Sequence, residues 1–130
     1  MNLKNNPTLK SSAVRVGLTI GDPAGIGPAI VLKAVNQLRN KFNFTIIGDS
    51  LVLAKAAKLL KIKSIVPVQG LVDLNNPKSK NFVFGKLSAA TGKASLDYLD
   101  IALELLKKKK IDCLVTAPIS KEAINLAGAK

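Results

Sequence analysis

Histidine and tryptophan are missing from this 130-residue chain, which has a single cysteine, a single methionine and only 4% aromatic residues. One unpaired cysteine excludes an internal disulfide framework and suits a reducing compartment. Cys113 lies in an apolar run at residues 111–115 with no histidine or basic partner beside it, so it reads as a small hydrophobe in a buried strand. Residues 1–12 read as a polar N-terminal tail without the apolar segment of a signal peptide. No apolar run approaches the length that spans a bilayer. A cytoplasmic protein with no membrane partner is therefore expected.

Acidic residues are also scarce, 8 against 20 lysines and arginines, for a formal net charge of +12. That balance raises the alternative of a basic α/β module binding polyanions. Arg15 and Arg39 are the only arginines, however, and the lysines are scattered. Base recognition draws on arginine forks and aromatic platforms, and this chain has few of either. The lysine run at residues 107–110 falls at a predicted helix end, where cations complement the macrodipole. The charge is read as a solvated surface that also attracts phosphorylated small molecules, and a nucleic-acid partner is not expected.

What the chain does have is an alternation of short apolar runs and amphipathic stretches. Strands are predicted over 14–19, 44–47, 64–68, 81–84 and 113–116. Helices are predicted over 29–38, from an Asp49 or Ser50 cap to Leu60, from Ser88 or Thr91 to about Lys108, and over 120–126. Residues 69–80 read as a long surface connection. On the longest helix, Lys93, Asp97, Asp100, Glu104 and Lys107 form a polar stripe opposite Ala94, Leu99, Ala102, Leu103 and Leu106. The expected fold class is layered α/β, a largely parallel sheet with helices on both faces. Ligands of such sheets bind beyond the carboxyl ends of the strands. Two distinctive loops fall there, at residues 21–28 and 117–120.

The first loop reads G-D-P-A-G-I-G-P, with three glycines, two prolines and one aspartate in eight residues. Glycines there permit positive φ or a close approach of backbone or ligand, and Pro28 suits a first helical turn. It is not the dinucleotide fingerprint, since the third glycine is absent, nor a P-loop. A second block, Gly85-Lys86-Leu87-Ser88-Ala89 with Gly92, heads the long helix. A third spans residues 111–123 and contains Thr116-Ala117-Pro118-Ile119-Ser120-Lys121.

These three blocks, in this order and spacing, resemble the 4-hydroxythreonine-4-phosphate dehydrogenases of pyridoxal phosphate biosynthesis. The chain departs at Ala29, where the family usually has glutamate, and at Ser120, where asparagine is common. A related G-D-G-I-G-P-E string occurs in the β-decarboxylating dehydrogenases. The resemblance implies part of an isocitrate/isopropylmalate dehydrogenase-like fold, NAD(P) and a divalent metal ion as cofactors, a small phosphorylated substrate and a homodimer. It also implies a longer chain: a Gly-His-Thr cluster would follow just beyond Lys130, with the metal-binding histidines further on. Residues 13–130 are thus expected to be the amino-terminal α/β portion of a longer two-domain enzyme, inactive alone, with neither a metal ligand nor a catalytic residue of its own.

Five residues are candidates for lining the site: Asp22, Gly25, Gly27, Thr116 and Lys121. Asp22 either orients a cofactor or basic group or is simply a turn residue. Thr116 either contacts substrate or merely ends a strand. Lys121 either meets a phosphate as a point charge or is solvated at a helix start. The implied reaction is oxidation of 4-hydroxythreonine 4-phosphate, with another four-carbon phosphorylated hydroxy acid as the alternative substrate.

Overall fold

The computed structural model describes residues 13–63, 70–76 and 81–128. Its framework is set by two β-rich apolar runs, β1 (Arg15–Thr19) and β2 (Asn43–Gly48), paired in parallel with Val16 against Phe44 and Leu18 against Ile46. Between them runs the helix α1 (Gly27–Leu38), and after β2 comes α2 (Ser50–Leu60). The three-residue strand β3 (Leu71–Asp73) adds to β2, and the long helix α3 (Ala89–Lys107) leads back to β4 (Cys113–Thr116) on the far side of β1. A short helix, α4 (Lys121–Leu126), follows.

The resulting sheet has the order β3-β2-β1-β4, with every neighbouring pair parallel. The chain steps outward from β1 to β3, then doubles back across β1. Right-handed crossovers therefore carry α1 and α2 over one face of the sheet and α3 over the other. In keeping with this, α1 packs on α2, and α3 packs on α4 and on the strands. Consecutive residues of β1 and β2 are buried, as strands covered on both faces must be. Ile20, Leu32, Val35, Ile46, Ile47, Val52 and Tyr98 form the centre of one core.

Buried polar groups on this core are paired. Tyr98 Oη donates to Asp49 Oδ2, and the Asn76 backbone N–H donates to Asp49 Oδ1 at 2.6 Å. Asp49 thus joins the end of β2, the segment after β3 and α3 at a position only 2% exposed. This corrects one expectation: Asp49 occupies the N-cap position of α2, but its side chain makes no capping bond there. The buried Tyr98 hydroxyl and the Asn76 amide take the carboxylate instead.

Other sequence expectations are also revised. Residues 71–73, read as part of a surface connection, form the edge strand β3. Residues 81–84, read as a strand, make no strand; Phe82 and Phe84 instead stack edge to face at 4.9 Å beside the core, with Lys55 Nζ 4.7 Å from the Phe82 ring. The strand predicted at 64–68 lies outside the described residues. The buried face of α3 is narrower than its leucines suggest: Ala94, Ser95, Tyr98 and Ala102 are buried, whereas Leu103 and Leu106 are exposed. Cys113, read as buried, is exposed, because β4 is the outermost strand of the described sheet and no described element covers its outer side.

Candidate functional site

In a sheet of this order the loops leaving β1 and β4 diverge to opposite faces, which opens a crevice between the two strand ends. Both motif loops begin there. Ile20 and Ala117 continue the β1 and β4 ladders by one residue, Ala117 N–H donating to the Thr19 carbonyl at 3.1 Å. Asp22 N–H then donates to the Pro118 carbonyl, also at 3.1 Å, so the two loops are joined backbone to backbone. The second block, at Gly85, is tied on in the same way, by Gly85 N–H to the Ala24 carbonyl at 2.7 Å.

These joints leave a cleft of about 290 Å³, whose lining includes Asp22, Gly25, Gly85, Lys86, Pro118 and Ser120. Three segments separated by tens of residues in the chain thus meet at one place. The loop geometry has local causes. Gly21 takes φ +70°, and a Cβ there would collide with the Pro118 carbonyl oxygen, so only glycine allows the two loops to touch. Gly27 opens α1 against the Ile20 carbonyl, which leaves equally little room for a Cβ. Pro28 sits in the first turn of α1, as expected, where its missing N–H costs no helical bond.

Asp22 is 4% exposed, and its Oδ1 accepts the Ala24 N–H at 2.8 Å. The carboxylate therefore fixes the turn, as the turn reading expects, and the residue also lines the cleft. Ser88 and Ser120 cap the helices that leave the cleft, accepting from the Thr91 and Ala123 N–H groups at 3.2 and 3.1 Å. The α1 start has no side-chain cap and no acidic residue in its first turn. Ala29, where a glutamate would complement that end of the helix, leaves it uncompensated.

Of the five sequence candidates, Asp22 and Gly25 line the cleft. Gly27 is buried close to Ile20 and Ala117 and does not line it. Thr116 pairs with Thr19 at the end of β4 and is exposed, and Lys121 begins α4, also exposed; neither lines the cleft. Sequence reasoning quoted Lys86, Ile119 and Ser120 only as motif letters, and the structure places all three on the cleft wall. For Lys86 the missed signal was its position directly after Gly85, whose φ of +83° turns the chain at the cleft edge.

No group of three or more His, Cys, Asp or Glu able to hold a metal ion exists among the described residues. The sequence has no histidine, so any imidazole ligand to a metal would have to come from outside these 130 residues. The loop after β1 likewise lacks the third glycine of a dinucleotide fingerprint.

Comparison with known proteins gives this geometry a family. The family model described as pyridoxal phosphate biosynthetic protein PdxA matches residues 40–130. A 4-hydroxythreonine-4-phosphate dehydrogenase of Sulfurihydrogenibium sp. is 40% identical over 124 residues, covering 88% of this chain and 38% of the relative. A Fusobacterium nucleatum protein, provisionally named a D-threonate 4-phosphate dehydrogenase, is 31% identical over 125 residues, with 85% and 38% covered. The crystal structure of a 4-hydroxythreonine-4-phosphate dehydrogenase from Burkholderia phymatum superposes with a TM-score of 0.82 at 30% identity, covering 92% of this chain and 41% of that one. The chain spans about two fifths of the length of the relatives it matches. Three motif blocks converging on one cleft, in the fold these proteins share, place the chain in the family of pyridoxal phosphate biosynthetic protein PdxA.

Proposed function

We propose that this chain forms one wall of the substrate cleft of an NAD(P)- and divalent-metal-dependent dehydrogenase that oxidises 4-hydroxythreonine 4-phosphate in pyridoxal phosphate biosynthesis. The reaction would turn a secondary alcohol into a ketone, and a bound nicotinamide would supply the hydride acceptor. The observation that carries this reading is the joining of the three motif blocks by the Asp22–Pro118 and Ala24–Gly85 backbone bonds around a single cleft. Within it this chain's own residues bind and orient. Lys86 attracts an anionic group, Asp22 accepts from a hydroxyl or ammonium, and Leu87, Pro118 and Ile119 provide apolar contact. Thr116 and Lys121, at the open end of β4 and the start of α4, are proposed to approach substrate from outside the present cleft. A homodimer in the cytoplasm is the setting this reading carries.

A chimera tests it: residues 1–130 joined to the remainder of the Sulfurihydrogenibium relative, with NADH formation followed on added 4-hydroxythreonine 4-phosphate. Turnover above that of the remainder alone is expected. A folded chimera without turnover overturns the reading. Preference for D-threonate 4-phosphate in the same assay would move the substrate to the other phosphorylated four-carbon acid named among the relatives.

A further inference from the structure

Almost every glycine in the three motif blocks has a structural reason to be one. Gly21 and Gly85 take φ of +70° and +83°, and a Cβ on Gly27 or Gly92 would strike the Ile20 or Ala123 carbonyl oxygen. Gly25 is different. Its φ is not in the left-handed region, and a Cβ built on it would meet only the Asp22 carbonyl oxygen at 3.5 Å and the Asp22 Cβ at 3.6 Å, ordinary van der Waals contacts. An alanine would keep the bond from the residue-25 N–H to the Asp22 carbonyl, 3.0 Å in the present chain. The fold thus makes no demand for glycine at this position, yet Gly25 is exposed and lines the cleft. Bare backbone on a cleft wall lets a ligand approach more closely than any side chain would allow.

Lys86 lines the same cleft and is the one basic residue in its lining. Neither side-chain ion pair seen among the described residues involves it. Asp22, the one acidic residue of the lining, spends an oxygen on the Ala24 N–H and repels an anion from its own end. An anionic group therefore belongs on the Gly25 and Lys86 side, with hydroxyl or ammonium donors of the same ligand toward Asp22.

We infer that Gly25 and Lys86 form a phosphate seat, in which a phosphate group lies against the Gly25 backbone and Lys86 is its counter-charge. The inference rests on the reading of this cleft as a ligand site and names the two residues that would recognise the phosphate. Either a phosphorylated substrate or the pyrophosphate of a nucleotide could supply that group.

The test uses the 130-residue chain, its backbone amides followed by NMR while glycerol 3-phosphate or NAD is titrated against chloride at matched ionic strength. Saturable shifts at Gly25, Ile26 and Lys86 are expected with at least one of them. Glycerol 3-phosphate acting alone assigns the seat to a phosphorylated substrate, and NAD acting alone assigns it to the nucleotide. Gly25→Ala should keep the thermal unfolding midpoint within a few degrees while weakening binding about tenfold, the scale of one misplaced methyl group in a fitted site. Lys86→Gln should weaken binding roughly tenfold, as loss of one charge-assisted hydrogen bond does, and flatten the salt dependence. Equal affinity of Gly25→Ala and parent, shifts confined to residues 107–110, or absence of saturable shifts would each overturn the inference. A chimera that turns over substrate equally well with Gly25→Ala would remove the seat and leave the dehydrogenase reading intact. Phosphate binding by the chain beside an inactive chimera would do the reverse.

Discussion

β1 and β4 run side by side in the same direction and present similar apolar letters, yet they live in different environments. Val16, Leu18 and Ile20 are at most 8% exposed, whereas Val115 is 49% exposed and Cys113 and Thr116 are also open. The two walls of the cleft are accordingly held in different ways. The β1 wall rests on the core, with α1 on one side and α3 on the other. The β4 wall hangs from a short list of specific attachments: its ladder to β1, the Asp22–Pro118 bond, the α3–α4 contact at Gly92, and the ion pair between Arg15 and Asp112. A site built this way has one wall fixed by burial and one fixed by individual joints.

The sharpest way to break the comparison is to cut the same kind of side chain on each wall. Ile20→Ala, at a fully buried position, should cost about 2–5 kcal/mol of unfolding free energy, as cavity-forming substitutions do. Val115→Ala should stay within about 0.5 kcal/mol, as exposed substitutions do. Urea unfolding of the two variants decides it, and equal losses would show that β4 is as much core as β1.

Next in size is Gly92→Ala. A Cβ there would collide with the backbone carbonyl of Ala123, so α3 and α4 must separate. The expected cost is about 1–3 kcal/mol, typical of overpacking against groups that cannot move aside. Amide exchange should accelerate in α4 and the residue 117–120 loop more than in β1 and β2. Uniform acceleration would mean that the β4 wall is not separately attached.

A smaller effect is expected from Ser120→Ala. Its hydroxyl accepts the Ala123 N–H at 3.1 Å at the start of a six-residue helix. Loss of such a cap costs about 1 kcal/mol and should fray α4 by circular dichroism and amide exchange. The corresponding Ser88→Ala should have a more local consequence, since α3 has 19 residues and a buried face to hold it.

The smallest effect is a pH dependence at the foot of β4. The Arg15 side chain and backbone N–H both donate to the Asp112 carboxylate, holding its pKa down at about 2. An unfolded aspartate titrates near 4, so the folded state favours the ionised form. The contribution is therefore complete above about pH 4 and is lost as pH falls toward 2. Asp112→Asn should remove this acid-limb dependence together with the equal stabilisation it represents at pH 7, both small because the two partners are solvent-accessible. An unaltered acid limb in Asp112→Asn would assign it to other carboxylates.

Much of this was legible in the chain. The runs that became β1, β2 and β4 and the stretches that became α1, α2, α3 and α4 announce themselves by apolar period and by punctuation such as Pro28, Ser88 and Ser120. β3 was hidden because three residues carry no period, and it forms by pairing with β2 rather than by its own preference. Residues 81–84 failed in the opposite direction: Phe82, Val83 and Phe84 favour strands, but with β3 at the sheet edge no ladder is offered to them among the described residues. Within the cleft, Asp22 and Gly25 were legible from the loop string. Lys86 was harder to read, since among so many lysines only its place directly after Gly85 marks it.

The sequence by itself determined the local pieces, because helix period, strand bias, caps and positive-φ glycines are properties of neighbouring residues. It also determined the charge, and it contains no histidine and a lone cysteine. Only the tertiary structure decided which pieces meet. The position of β4 at the edge beside β1 exposes Cys113 and Val115, and the reversal of chain direction across β1 opens the crevice that three distant motifs share. Burial and proximity depend on the packing of elements far apart in the chain, and no local pattern contains them.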